Sequence, residues 1–225
     1  MDYREDMQPD RIMLENSLAF FGAVTASISH ELNNVIAIID QNIGLLADLL
    51  ITASAERPIP NERLQRISDS VQAQTDRGVR IIKGLNTFAH SVDDPIREFD
   101  LNQLINNFTS IAQRLASLRK VNLESDSEAQ ELMVTSSPFI IQQVLFYCIQ
   151  RALNRAQPGD VIKIDVHGSD TQVDITLTGR VDQVDNGWNE QYIQQLMQII
   201  FGSVEVEARD PEELIHIKFS RKAGI

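Results

Sequence analysis

SISHELNNVIAIIDQ, residues Ser27 to Gln41, sets one histidine into an amphipathic segment, and its reading decides how the N-terminal part of the chain folds. With each residue turned by about 100° and Ile28 placed at zero, Val24, Leu32, Val35 and Ile39 fall within about 60° of it. His30 falls at about 200°, so it is expected on the face opposite the apolar stripe. Sharing that outer face are Ala19, Ala23, Ala26, Ala37, Gln41 and Gly44, small side chains that let something approach the helix closely. Glu31 lies about 100° round the helix and Asn34 one turn on, which places an acid and an amide beside the imidazole.

The same steps of three and four continue outward. Phe21, Val24, Ile28, Leu32, Val35, Ile39, Ile43 and Leu46 form one stripe on a helix expected over roughly residues 12–51. TASAERPIPNE, with two prolines and polar flanks, ends it. A second helix, roughly 61–91, repeats the pattern with Leu64, Ile67, Val71, Ile82, Leu85 and Phe88. Two helices cannot enclose a core alone, so this hairpin is expected to be completed by a second copy as a dimeric four-helix bundle.

After the acidic break SVDDPIREFD the periodicity becomes mixed, which predicts an α+β chain cut near Asp94: a helical hairpin over 1–93 and an α/β sandwich over 94–225. DLNQLINNFTSIAQRLASLRK reads as a helix and QELMVTS as a strand. SPFIIQQVLFYCIQRALNRA reads as a helix opened by Ser137-Pro138. VIKIDVH and TQVDITLT form a hairpin around Gly168-Ser169-Asp170, and the helix NEQYIQQLMQIIF leads into the strands SVEVEA and ELIHIKFS.

Composition narrows the function. A net charge of -12 over 225 residues argues against a nucleic-acid binder, whose clustered Lys and Arg would neutralise phosphates, and points to protein partners. No unbroken apolar run reaches the ~18–20 residues of a membrane span and the N-terminus MDYREDMQPDR is charged, so a cytoplasmic chain without a membrane partner is expected. The single Cys148 excludes an intrachain disulfide and sits in an apolar setting, as an inert buried thiol does. His90, His167 and His216 have no Cys or carboxylate at ligand spacing, so no metal site is expected. Trp188 begins a helix and the acids Asp182 and Asp185 read as a solvated loop.

SHELNNV resembles the H-box of two-component sensor histidine kinases. The resemblance implies that His30 is phosphorylated, that Glu31 serves as general base or orienting acid, and that Asn34 assists dephosphorylation of the partner. The residue types suit that chemistry: imidazole as a class titrates near ~6.5 and is mostly neutral in the cell, and a carboxylate on one ring nitrogen fixes the tautomer that frees the other. The segments after Asp94 resemble the ATP-binding domain of the same kinases, with IIQQVLFYCIQRALNRA similar to its N-box helix. Its phosphate-binding parts are altered. The N-box asparagine positions are read as Gln150 and Phe146, and Gly179 and Gly187 stand too far apart for the family's Asp-x-Gly-x-Gly turn. The short connection after TQVDITLT has no room for a nucleotide lid. Phosphate cradling needs glycines that let backbone N–H groups approach oxygen, so ATP binding is expected to be absent.

Phosphorelay phosphotransferases share this plan of a kinase-like dimeric bundle with a vestigial ATPase domain. The chain is therefore expected to pass phosphate between response-regulator receiver domains through His30. No cofactor of its own is expected, because Mg2+ is supplied by the receiver. Receiver docking is expected on Ala37, Gln41, Gly44 and Asp48. Three other readings remain: a phosphatase in which Glu31 and Asn34 orient water, a noncatalytic docking scaffold, and a kinase with an unorthodox nucleotide site.

Overall fold

A computed structural model describes residues 8–55, 57–127, 131–180 and 188–222. The class is α+β: two long helices, α1 (Gln8–Thr52) and α2 (Asn61–Ala89), precede a mixed α/β region. There β1 (Arg97–Asp100), α3 (Leu101–Leu118), β2 (Asn122–Ser127), β3 (Met133–Ser136) and α4 (Pro138–Arg155) come first. They are followed by β4 (Val161–Gly168), β5 (Gln172–Arg180), α5 (Glu190–Ile199), β6 (Gly202–Arg209) and β7 (Glu212–Ser220). Asp182, Asp185 and Gly187 lie outside the described residues.

The main sheet runs β2-β4-β5-β7-β6, with β2 parallel to β4 and the other pairs antiparallel. Alternation selects its faces. Ile162, Ile164 and Val166 of β4, Val173, Ile175 and Leu177 of β5, and Ile215, Ile217 and Phe219 of β7 are buried, while Asp174, Thr176, His216 and Lys218 take the other face. Against the apolar face lie α3, α4 and α5, which bring Phe108 and Ala112, Ile141 and Ile149, and Leu196 and Met197. Local signals start these helices: Asp100 accepts from the Asn102 N–H, Pro138 opens α4, and Asn189 accepts from the Tyr192 N–H. The hairpin expected around Gly168-Ser169-Asp170 is β4–β5. The short β1 and β2 were not anticipated. REFD and NLESDS carry too little apolar pattern to read as strands, and among the described residues β1 pairs only with β3.

The chain packs as two compact units, one spanning Thr25–Asn86 and the other joining residues 1–24 to 87–225. Helix α1 therefore contributes to both. In the larger unit, Phe20 is 1% exposed and its ring centroid lies 5.1 Å from Phe146, 5.5 Å from Phe88 and Phe139, and 6.2 Å from Phe108. Burying such a ring contributes about 1.5–3 kcal/mol by area, with more from the edge-to-face contacts. A polar seam runs beside it: buried Gln143 donates to the Tyr192 hydroxyl at 2.6 Å and to Ser17 Oγ at 3.2 Å.

In the hairpin unit, Val35 meets Gly78, where an added Cβ would sit 3.4 Å from its methyl carbon, and Ile28, Val35 and Ile67 are buried. The rest of the expected stripe is more open. Ile43, Leu64 and Ile82 are exposed, as are Ile36, Leu50 and Ile51. By length and composition α1 is apolar enough to cross a membrane. The reading by unbroken runs passed over this because Asn33, Asn34, Asp40, Gln41 and Asn42 interrupt the apolar residues without outweighing them on average.

Candidate functional site

The helical spacing that sets Ile28 inward turns His30 outward, and the imidazole is exposed. Asn34, one turn on, is exposed as well, and so are Ala37, Gln41, Gly44 and Asp48 along the same helix. A Cβ added at Gly44 would meet nothing within 4 Å, so this stretch of α1 is smooth and approachable. Among the described residues no side chain is hydrogen-bonded to the His30 ring.

Glu31 is placed differently from the other two. Its side chain is 18% exposed and its Oε1 accepts a hydrogen bond from the Arg77 guanidinium on α2, whose side chain is 45% exposed. Arg77 is thus part of the site although no local pattern marks it, since it lies 46 residues from its partner. Only the antiparallel return of the chain brings the two together.

The α/β unit holds a second polar constellation, where α4 meets the end of β5 and the start of β7. Arg151 donates through Nε and Nη2 to the two oxygens of Glu213, each at 2.9 Å, and Arg155 Nε lies 3.8 Å from the same carboxylate. The Trp188 ring packs on Arg151 with the guanidinium carbon 4.8 Å from its centroid. The α4 position facing this end of the sheet is therefore Arg151, one residue beyond the expected Gln150. Phe146, the other expected position, is buried against Phe20 and turned to the aromatic cluster instead. The recess lined by Ala152, Arg155, Leu177, Gly179, Arg180, Glu213 and Ile215 has an empty volume of about 190 Å³, open solvent included. Sites for small molecules are typically about 300–1,000 Å³.

The remaining titratable groups have structural surroundings. Burial pushes the Cys148 thiol up, so it stays protonated and inert. Burial likewise pushes the Tyr147 hydroxyl up to about 12, with Tyr192 adding to the effect. His90 meets Asp93 at 2.7 Å, and His216 lies 3.1 Å from the Thr176 hydroxyl. Among the described residues no group of three His, Cys, Asp or Glu is placed to hold a metal ion.

No family model matches the chain, and no curated protein matches it. Among solved structures it is similar to histidine kinase ThkA in complex with the response regulator protein TrrA, at 17% identity over 97% of this chain and 66% of that one, with a TM-score of 0.49. It is also similar to the Acinetobacter baumannii histidine kinase AdeS, at 14% identity over 85% of this chain and 98% of that one, TM-score 0.47. A histidine kinase from Burkholderia phymatum matches at 9% identity over 87% of this chain and 98% of that one, TM-score 0.48. Identities this low and TM-scores of 0.47 to 0.49 mark loose likenesses of fold.

Proposed function

We propose that the chain is a histidine phosphotransferase of a bacterial two-component phosphorelay, in which His30 takes a phosphoryl group from one response-regulator receiver and gives it to another. The observation that carries this reading is an imidazole held open on α1, in the order His30-Glu31-x-x-Asn34, beside the exposed small residues Ala26 and Ala37. The unprotonated ring nitrogen attacks the receiver's aspartyl phosphate in line. The N–P bond forms as the acyl P–O bond breaks, and the electron pair leaves on the aspartate carboxylate. The ring proton on the other nitrogen passes to water, since Glu31 is engaged by Arg77. Mg2+ held by the receiver's own carboxylates neutralises the phosphoryl oxygens. The receiver docks along Ala37, Gln41, Gly44 and Asp48.

ATP does not fit the α/β unit in this reading. Arg151 is committed to Glu213 through two hydrogen bonds at the end of the sheet, and the α4 positions Phe146 and Gln150 bring no asparagine there to hold a metal-bound phosphate. Gly179 follows Leu177-Thr178, so it brings no carboxylate to an adenine. A second copy of the chain completes the helical hairpin. Pairing two hairpins buries exposed residues such as Ile43, Leu50 and Ile82, and because each is already about half covered the remainder contributes about 1 kcal/mol apiece. In such a bundle α1 is a helix of a cytoplasmic dimer rather than a membrane span.

The test is a phosphotransfer assay of the protein and its His30→Ala variant against phosphorylated receiver domains, with ATP alone as control. Label is expected on the wild type from a receiver, none from ATP, and none on His30→Ala. Labelling by ATP would overturn the nucleotide part of the reading. Exposed Asn34 beside His30 favours a second activity, hydrolysis of the receiver's phosphate. Phosphate release that persists undiminished in His30→Ala, without phosphohistidine on the wild type, would make that the main function.

A further inference from the structure

We propose that Arg77 is a positioning residue that decides whether a phosphoryl group goes to His30 or to water, by holding the carboxylate of Glu31. The inference rests on the phosphotransfer reading of His30. Glu31 follows His30 directly in the chain, about 100° round the helix, and it is the carboxylate of the expected motif. Its oxygen accepts from Arg77 across the hairpin, so the side chain is held toward α2. The two fates of the phosphoryl group place opposite demands on that carboxylate. Transfer needs only the lone pair of the ring nitrogen. Hydrolysis needs a water whose oxygen forms the new P–O bond as the acyl P–O bond breaks, while a water proton passes to a free acceptor. A carboxylate engaged by a guanidinium is poorly placed to be that acceptor, and transfer is then favoured.

The pair is suited to regulation because it is not deeply buried. With Arg77 45% exposed, the ion pair is of the kind that is easily exchanged, and a bound receiver's own charges can compete for either partner. Arg77 thus links the shape of the docked receiver to the choice between transfer and loss.

The experiment follows one phosphorylated receiver domain and measures, at early times, how the lost label divides between phosphohistidine and inorganic phosphate. Wild type, Arg77→Ala, Arg77→Gln, Arg77→Lys, Glu31→Gln and the double variant Arg77→Ala/Glu31→Gln are compared. In Arg77→Ala and Arg77→Gln the ratio of inorganic phosphate to phosphohistidine is expected to rise about 100-fold, the low end of what one general base supplies. It should return to the Glu31→Gln value in the double variant, and Arg77→Lys should restore most of the wild-type division. A purely structural role for Arg77 would lower the melting temperature and leave the division unchanged, which would overturn the proposal. A rise that survives in the double variant would also overturn it. A wild type that gains no label and releases no phosphate from any receiver would sink the phosphotransfer reading, and this inference with it.

Discussion

The two parts of α1 have been finished to different degrees. Phe20 is sealed among four other rings in the α/β unit, whereas Ile36, Ile43, Leu50 and Ile51 further along the same helix stand in the open. The same contrast holds for polar chemistry. Arg151 and Glu213 satisfy each other at the sheet's end, while His30 and Asn34 face solvent. Apolar side chains left in water cost free energy that a monomer does not recover, and an open imidazole contributes nothing to packing. The difference teaches where to look for partners: on the hairpin, where the open imidazole and a denser set of exposed apolar residues lie together, while the larger unit leaves Leu14, Leu18, Leu118 and Phe201 open around a sealed aromatic cluster.

The hardest way to break that comparison is to open the closed part. Phe20→Ala removes a ring at 1% exposure and should cost the larger unit about 3–5 kcal/mol, read as a lower denaturation midpoint. Ile43→Ser, at 50% exposure, should cost the isolated chain little but weaken self-association, read by sedimentation at several concentrations. Equal losses of monomer stability from the two substitutions would show that the hairpin is as closed as the α/β unit.

A smaller effect on free energy probes the open part. Ala37→Trp adds bulk on an exposed face, so its stability should stay within about 0.5 kcal/mol of the parent. Receiver-dependent transfer to His30 should fall about 100-fold, equivalent to about 2.7 kcal/mol in the barrier, because the bulk stands in the docking strip. Transfer at the parent rate would move the receiver to another face.

How far this was legible in the sequence depends on distance along the chain. Helices α1, α2 and α4, the β4–β5 hairpin and the outward turn of His30 all follow from local spacing, capping or turn residues. Phe20 reads locally as one more apolar residue. Its rings at Phe108, Phe139 and Phe146 come from far along the chain, so nothing nearby announces that the start of α1 belongs with the α/β unit. Arg77 was hidden for the same reason. The step from Gln150 to Arg151 is one residue in sequence but about 100° of helix, enough to exchange a neutral amide for the charge that meets Glu213. Strand β2 could not be read because NLESDS forms an edge, paired on one side only, with Leu123 its one large apolar side chain.

The gentlest test uses alkali, because the closed part alone carries groups that burial holds protonated. The hairpin residues 25–86 contain no Cys or Tyr, whereas Cys148 and Tyr147 lie in the α/β unit. Both are raised in the folded state, so each contributes stability that is fully present below its ordinary value and declines as pH rises above it. For Cys148 that decline begins near 9.0, and one pH unit higher it amounts to about 1.4 kcal/mol. Tyr147 follows between 10.0 and about 12. Between pH 8 and pH 10 the melting temperature of the wild type should therefore fall more than that of Cys148→Ala, whose unfolded chain has no thiol to ionise. Parallel falls would mean that the thiol meets solvent in the folded state and that the α/β unit is less closed than Phe20 and its neighbours make it.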